Sequence, residues 1–350
     1  MATVAPLQLG LCCVNTVLKA QKPPVYASRT MTLQYATTRG AVALKEKGRA
    51  NLQDVLRMMD WNHAHNIHVF RLSSDLLPHF ANPKLPADIA EDYTFGFVAD
   101  LLLQIGTKSR LLNQRLTFHP GQYNVIGTPH ESAFHSTLLD LKYHADMLDM
   151  MGCDQNAVMV VHFGGVYNNK PETVERWVRN FERLPANVQN RLVLENCERA
   201  FSVEDCLALS ARLNIPVVLD THHHEIYRAC HPAEAIKEAA FYVPAVLATW
   251  LRRGIKPKFH VSQQGEGKLG HHSDYISALP AWLCDVPVQY NVKIDVMIEA
   301  KAKEQAIFRL YQQVDHPSFP LLQLPPLQSL SFPTPVMPKK RERGVKRCLE

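Results

Sequence analysis

Six residues able to bind cations or move protons stand at one kind of place in this chain, the end of a short apolar run. His119 follows Arg115-Leu-Thr-Phe118, His162 follows Val158-Met-Val-Val161, and Glu195 follows Arg191-Leu-Val-Leu194. Asp220 closes Ile215-Pro-Val-Val-Leu219, His260 lies in Lys258-Phe-His-Val-Ser262, and Glu299 follows Ile294-Asp-Val-Met-Ile298. Any one of them reads equally well as a hydrogen-bonded polar residue at a strand end. Six in one architectural layer do not, because imidazoles and carboxylates converging in a half-buried cleft are costly to leave unpaired. Divalent cations bind such mixed nitrogen and oxygen sets, and Zn²⁺ or Mn²⁺ suits this one better than Mg²⁺. Glu195 and Glu299 each offer two oxygens and can bridge ions, so the carboxylate count points to more than one metal. Directly after His119, Pro120-Gly121 breaks the strand, and Gln122 and Tyr123 should project from an exposed loop.

The elements that must hold these residues alternate in type. Strands are expected at Leu7 to Val14, His68 to Leu72, 115 to 118, 158 to 162, 191 to 196, 215 to 220, 258 to 262 and 294 to 298. Helices are expected at Asn51 to Asn66, Phe95 to Ile105, Ser136 to Met151, Pro171 to Leu184, after the Ser202-x-x-Asp205 capping box, Pro232 to Arg252, from Ser273, and through about Gln312. Eight strand-helix units predict an α/β fold, a (β/α)8 TIM barrel, whose catalytic groups sit at the carboxyl ends of the strands. His222 to His224 come directly after the sixth strand, while His130, His135 and His144 are expected at the surface. Met58, Met59, Met147, Met150 and Met151 occupy helical apolar positions and read as core.

Length and composition agree with one large domain. The 350 residues, 46% hydrophobic and 20% charged, can bury a sizeable core, and residues 1–315 suffice for a barrel. From residue 316 the chain is Pro-rich and ends in Lys339-Lys-Arg341, Arg343, Lys346 and Arg347, which predicts a flexible, disordered basic tail over 316–350. That run is read as a nuclear localisation signal, a nonspecific DNA arm or a solvated charge run, so the compartment expected is nuclear or cytoplasmic. Eight cysteines without a C-x-x-C pair predict reduced, buried thiols. No apolar run approaches ~18 residues, so no membrane partner is expected. Gly164-Gly165 lacks any nucleotide-binding pattern.

Leu9-Gly-Leu-Cys-Cys-Val-Asn15, Phe118-His-Pro-Gly-Gln-Tyr123, Val161-His-Phe-Gly-Gly165, Leu194-Glu-Asn196, Asp220-Thr-His-His223, Lys258-x-His260-x-Ser262, His272-Ser-Asp-Tyr-Ile276 and Met297-Ile-Glu-Ala-Lys301 occur in this order. Together they resemble the UV damage endonucleases, TIM-barrel DNA repair enzymes related in fold to endonuclease IV, over roughly residues 7–312. The resemblance implies incision of damaged double-stranded DNA immediately 5′ of a lesion, leaving a 3′-hydroxyl and a 5′-phosphate, by a monomer with three divalent ions. It implies as metal ligands His119, His162, Glu195, Asp220, His223, His260, His272 and Glu299. His79 and Asn15 match further active-site positions, and Gln122 with Tyr123 match a pair that probes the duplex. Lys258, an awkward cation two residues before His260 on the same strand face, matches a lysine carboxylated in some relatives. Leu11 departs from a tyrosine that lines the lesion pocket in some relatives, which leaves lesion preference open. Two other readings are a metal-dependent sugar isomerase on the same barrel and a non-catalytic damage-binding protein. The first has no use for an exposed Gln-Tyr pair, and the second would not need every ligand position kept.

Overall fold

Eight short β-prone runs become eight parallel strands in the computed structural model, which describes residues 6–313. They are β1 (Leu7–Cys12), β2 (Val69–Arg71), β3 (Arg115–Thr117), β4 (Met159–His162), β5 (Leu192–Glu195), β6 (Val217–Val218), β7 (Lys258–Val261) and β8 (Ile294–Ile298). Hydrogen bonding joins them in the orders β3-β2-β1-β8-β7 and β4-β5-β6. The bridges Phe118 to Met159 and Asp220 to His260 join these two sheets at both edges, giving a closed (β/α)8 barrel. A helix packs outside after each strand, Leu33–Ala64, Ala99–Leu111, Glu131–Met150, Lys170–Glu182, Val203–Leu213, Ala239–Leu251, Ala281–Gln289 and Glu304–Gln313 in turn. The expected tail, 316–350, lies outside the described residues. No helix among the described residues is long and apolar enough to cross a membrane.

Several boundaries differ from the expectation, each for a local reason. The first long helix starts at Leu33, not at Asn51, because its amino-terminal half is polar and Gly40 interrupts it at φ 73°. Ser202 does form the capping box with Asp205. His222 to His224, a stretch for which no element was expected, lie in a helix: Asp220 accepts from the His223 amide and caps Thr221–Cys230, so all three imidazoles sit in its first turns. The region expected as one helix from Pro232 divides into a single turn at Pro232–Glu234 and the helix Ala239–Leu251. The helix expected from Ser273 begins at Ala281, after Pro280. His144, expected at the surface, is fully buried, its ring against Phe118 and its Nδ1 donating to the Asp140 carbonyl at 2.7 Å. Among the described residues seven cysteines are free thiols; Cys12, Cys206 and Cys284 are buried as expected, whereas Cys230 is exposed. Met58, Met59, Met147 and Met151 are core.

Alternation along the strands explains what fills the barrel. In β7 and β8, Phe259, Val261, Ile294, Val296 and Ile298 belong to the main apolar core, which leaves Lys258, His260, Asp295 and Met297 to face the interior. Beside Met297, Gly10 has room for no side chain, since a Cβ there would lie 2.9 Å from the methionine methyl. At the amino-terminal end, the wholly buried Asp295 accepts from Arg115 at 2.6 Å, and Lys256 lies 2.5 Å from its other oxygen. The stabilising charge layer is thus at the opposite end of the barrel from the histidines. Removing the carboxylate leaves Arg115 charged and buried with only the Asn156 and Lys256 carbonyls as partners, so Asp295→Ala should lower stability by about 3–5 kcal/mol. A denaturant titration measures this, and a loss below about 1 kcal/mol would contradict the buried-pair account.

Candidate metal centre

Strand register brings the polar strand ends together. His162 in β4 is directly beside Glu195 in β5, and Asp220 is bridged to His260 in β7. Glu195, wholly buried, has one oxygen 2.6 Å from His260 Nδ1 and the other 2.9 Å from His119 Nε2, with His162 Nδ1 at 3.5 Å. Glu299 Oε1 lies 3.3 Å from His260 Nδ1 and also pairs with Arg71, and its Oε2 lies 3.8 Å from His272 Nδ1. Three overlapping sets result, His119-Glu195-His260, His162-Glu195-His223 and Asp220-His260-Glu299, each with donor atoms within 4.8 Å of one another.

The cluster is electrostatically unfinished without cations. Burial acts to raise Glu195, but His260 and His162, with hydrogen bonds from His119 and His260, hold it well below the usual carboxylate range. Burial likewise opposes the ionised Glu299, and Arg71 and His260 outweigh it, keeping that group low. Asp220 is helped too little: burial pushes it up to about 7 although His223 acts to lower it, and Glu195 and Glu299 add to the rise. His223 shows the converse, since burial lowers it but Asp220, Glu195 and Glu299 take it up to about 9. Burial drives His162 down to about 4. Asp220 Oδ2, His162 Nδ1 and His260 Nε2 are buried with no hydrogen-bond partner among the described residues. Two buried carboxylates with a third partly buried, clustered imidazoles and orphaned donor atoms make a set that divalent cations could complete, displacing the protons that otherwise balance the charge.

Neighbouring groups fix the donors in place. His223 Nδ1 donates to the Asn196 carbonyl at 3.1 Å, which leaves its Nε2 as the lone-pair atom. The Asn196 side chain braces the Asp220 backbone twice, at 3.1 and 2.9 Å. Sequence reasoning passed over both Asn196 and Arg71. Asn196 was visible as the residue after Glu195, and Arg71 as the charge ending the apolar run of β2.

Seven of the eight expected ligands therefore enter the three sets, and His272 stands beside them through Glu299. Lys258 lies deeper in the barrel, wholly buried, its Nζ 3.1 Å from Thr117 Oγ1, and burial with the Arg115 and Arg71 charges takes it down to about 7. Asn15 is buried and caps the turn Thr16–Lys19 by accepting from the Leu18 amide at 2.8 Å, and its Nδ2 has no hydrogen-bond partner among the described residues. His79 is outside the three sets; it has φ 58°, contacts the Met31 carbonyl at 2.8 Å and Asn82 at 3.1 Å, and lines a cavity of about 280 Å³ with Tyr123. Gln122 and Tyr123 are exposed, Tyr123 by 65%. Their loop is held from below by buried Asn124, which donates to the Gly121 carbonyl and to Asp140 at 2.7 Å.

Comparison with known proteins identifies the family. The family model described as UV-endonuclease UvdE matches residues 7–322. A UV-damage endonuclease of Schizosaccharomyces pombe is 36% identical over 326 residues, covering 90% of this chain and 52% of its own length. This chain thus spans about half the length of that relative. A putative UV-damage endonuclease of Acanthamoeba polyphaga mimivirus is 32% identical over 308 residues, covering 87% and 90% respectively. The crystal structure of SacUVDE superposes with a TM-score of 0.71 at 30% identity, covering 86% of this chain and 95% of that one. With its full strand sequence inside the matched span, this chain belongs to the UV-endonuclease UvdE family.

Proposed function

We propose that the protein is a metal-dependent endonuclease that nicks damaged double-stranded DNA immediately 5′ of UV photoproducts and other lesions, leaving 3′-hydroxyl and 5′-phosphate ends. The observation that carries this reading is the set of three overlapping His and carboxylate groups sharing Glu195 and His260 at one barrel mouth. Three sets suit three ions, with Mn²⁺ or Zn²⁺ fitting the donors. When bound, such ions supply Lewis acidity to phosphoryl oxygens and lower the pKa of water toward neutrality. The chain's own residues position the rest. Glu195 and Glu299 hold carboxylate oxygens toward neighbouring sets, Asn196 orients His223, and Arg71 steadies Glu299 from the side. All donors come from one chain, so a monomer suffices.

Recognition of damage falls to Gln122 and Tyr123. A phosphodiester can reach a barrel mouth only if the duplex bends and bases leave the stack, which costs a few kcal/mol and least where damage has weakened pairing. A ring as exposed as that of Tyr123 can fill the gap, and Gln122 can hydrogen-bond the orphaned bases. Tyr123 lies over Gly121, where a Cβ would be 2.4 Å from the ring, so glycine is what lets the aromatic rest there. His79, across the same cavity, and Asn15 complete the proposed active-site surroundings. Lys258, pulled down to about 7 by burial, keeps a large neutral fraction, the form of an amine that can take up carbon dioxide. Carboxylation would turn a misplaced cation into an anion below the ion cluster.

Nicking of irradiated supercoiled plasmid tests the activity. Glu195→Gln and Glu299→Gln should each slow it by at least about 100-fold, since the charge stabilisation an ion supplies is worth several kcal/mol and ~1.4 kcal/mol is tenfold. Chelation should abolish it, and nicking that survives chelator would refute metal dependence. Replacing Gln122 and Tyr123 by alanine should weaken binding to damaged duplex about 10-fold or more, a stacking contact being worth ~1–3 kcal/mol, with little change on undamaged duplex. Equal losses on both would reduce the pair to ordinary backbone contacts. Intact mass under non-acidifying conditions should show one added carboxyl group that Lys258→Met removes; an unmodified mass in active protein would refute it.

A further inference from the structure

A second cavity opens on the same face, between the carboxyl ends of β6 and β7, with a volume of about 440 Å³. Its walls include Thr221, His222, Ser262, Gln263, Pro280 and Trp282. His222 and Ser262 are only 9% and 7% exposed, yet His222 Nε2 and Ser262 Oγ are buried without a hydrogen-bond partner among the described residues. Neither residue enters the three cation sets. Buried polar atoms left unpaired are uncommon, and two in side chains that border one cavity make it a place for a ligand to complete once those side chains turn toward it. The volume falls within the ~300–1,000 Å³ of small-ligand sites. Its chemistry is a polar edge of imidazole and hydroxyl beside the flat apolar surfaces of Trp282 and Pro280. An unstacked nucleobase has the matching form, a planar apolar face with donors and acceptors at its rim.

Topology says which base. In a closed ring of eight strands, β3 and β7 are four places apart and so face each other across the mouth, with the cation sets between. The Gln122-Tyr123 loop follows β3. A strand whose lesion lies at that loop, and whose scissile phosphate lies over the cluster, must carry its next nucleotide toward β6 and β7. We propose that this cavity receives the base of the undamaged nucleotide on the 5′ side of the cut, held by His222 and Ser262 against Trp282. The proposal rests on incision 5′ of a lesion probed by Gln122 and Tyr123. It adds a second point of unstacking, on the side of the strand that keeps the 3′-hydroxyl.

The test uses the full chain loaded with Mn²⁺ and a damaged duplex whose scissile phosphate is replaced by a non-hydrolysable linkage. 2-Aminopurine is placed either at the nucleotide 5′ of the cut or opposite the lesion, and its fluorescence reports unstacking. Binding should raise the signal several-fold at both positions. Ser262→Ala and His222→Gln should each remove at least half of the rise at the 5′ position, leaving the signal opposite the lesion and the metal content unchanged. Should His222→Gln lose metal, Ser262→Ala decides alone. A rise opposite the lesion with none at the 5′ position, or a 5′ rise that Ser262→Ala leaves intact, would overturn the proposal. Failure of both signals in the unaltered protein would overturn the lesion-probing reading, and this proposal with it.

Discussion

The site depends on one carboxylate. Glu195 is wholly buried at the end of β5, and three imidazoles from β3, β4 and β7 converge on its two oxygens. An ionised carboxylate there is tolerable only because imidazole nitrogens face both of its oxygens, and Asp220, close by, is not held ionised in the same way. Asp220 and His223 record the shortfall, one carboxyl pushed up and one imidazole held protonated by the same crowding. Cations resolve both at once, which ties metal binding to the charge balance of the barrel mouth.

The barrel can carry this instability because its own support lies elsewhere. Alternation in β7 and β8 puts apolar residues outward against the helices and polar residues inward, and those inward residues are layered. Arg115, Asp295 and Lys256 pair at the amino-terminal end, Met297 fills the space over Gly10 in the middle, and the donors stand at the carboxyl end. Lys258 lies between the paired layer and the donors, and its only hydrogen bond among the described residues is to Thr117. A barrel layered in this way separates residues that hold the fold from residues that act on a ligand.

Much of this was legible in the sequence. Short, mostly apolar runs ending in His, Glu or Asp marked both the strands and the layer of candidate ligands, because parallel strands buried on both faces are rich in apolar residues. What stayed hidden was set by tertiary contacts. Asp220 read as a strand end while also serving as a helix cap, so the helix through His222 to His224 was missed. Arg71 looked like any polar residue closing a strand until Glu299, 228 positions away, came beside it. His144 sits among irregularly spaced polar residues, and only packing against Phe118 shows it to be core. The half-buried cavity between β6 and β7 joins residues about 40 positions apart and has no local signature.

Crystals of the full chain grown with Mn²⁺ and measured at the manganese absorption edge would test the central claim most directly. At least two anomalous peaks should appear at the barrel mouth, one shared by Glu195, His119 and His260 and another by Glu195, His162 and His223. No peak there in active protein, or a single peak that leaves Glu195 uncoordinated, would contradict the account.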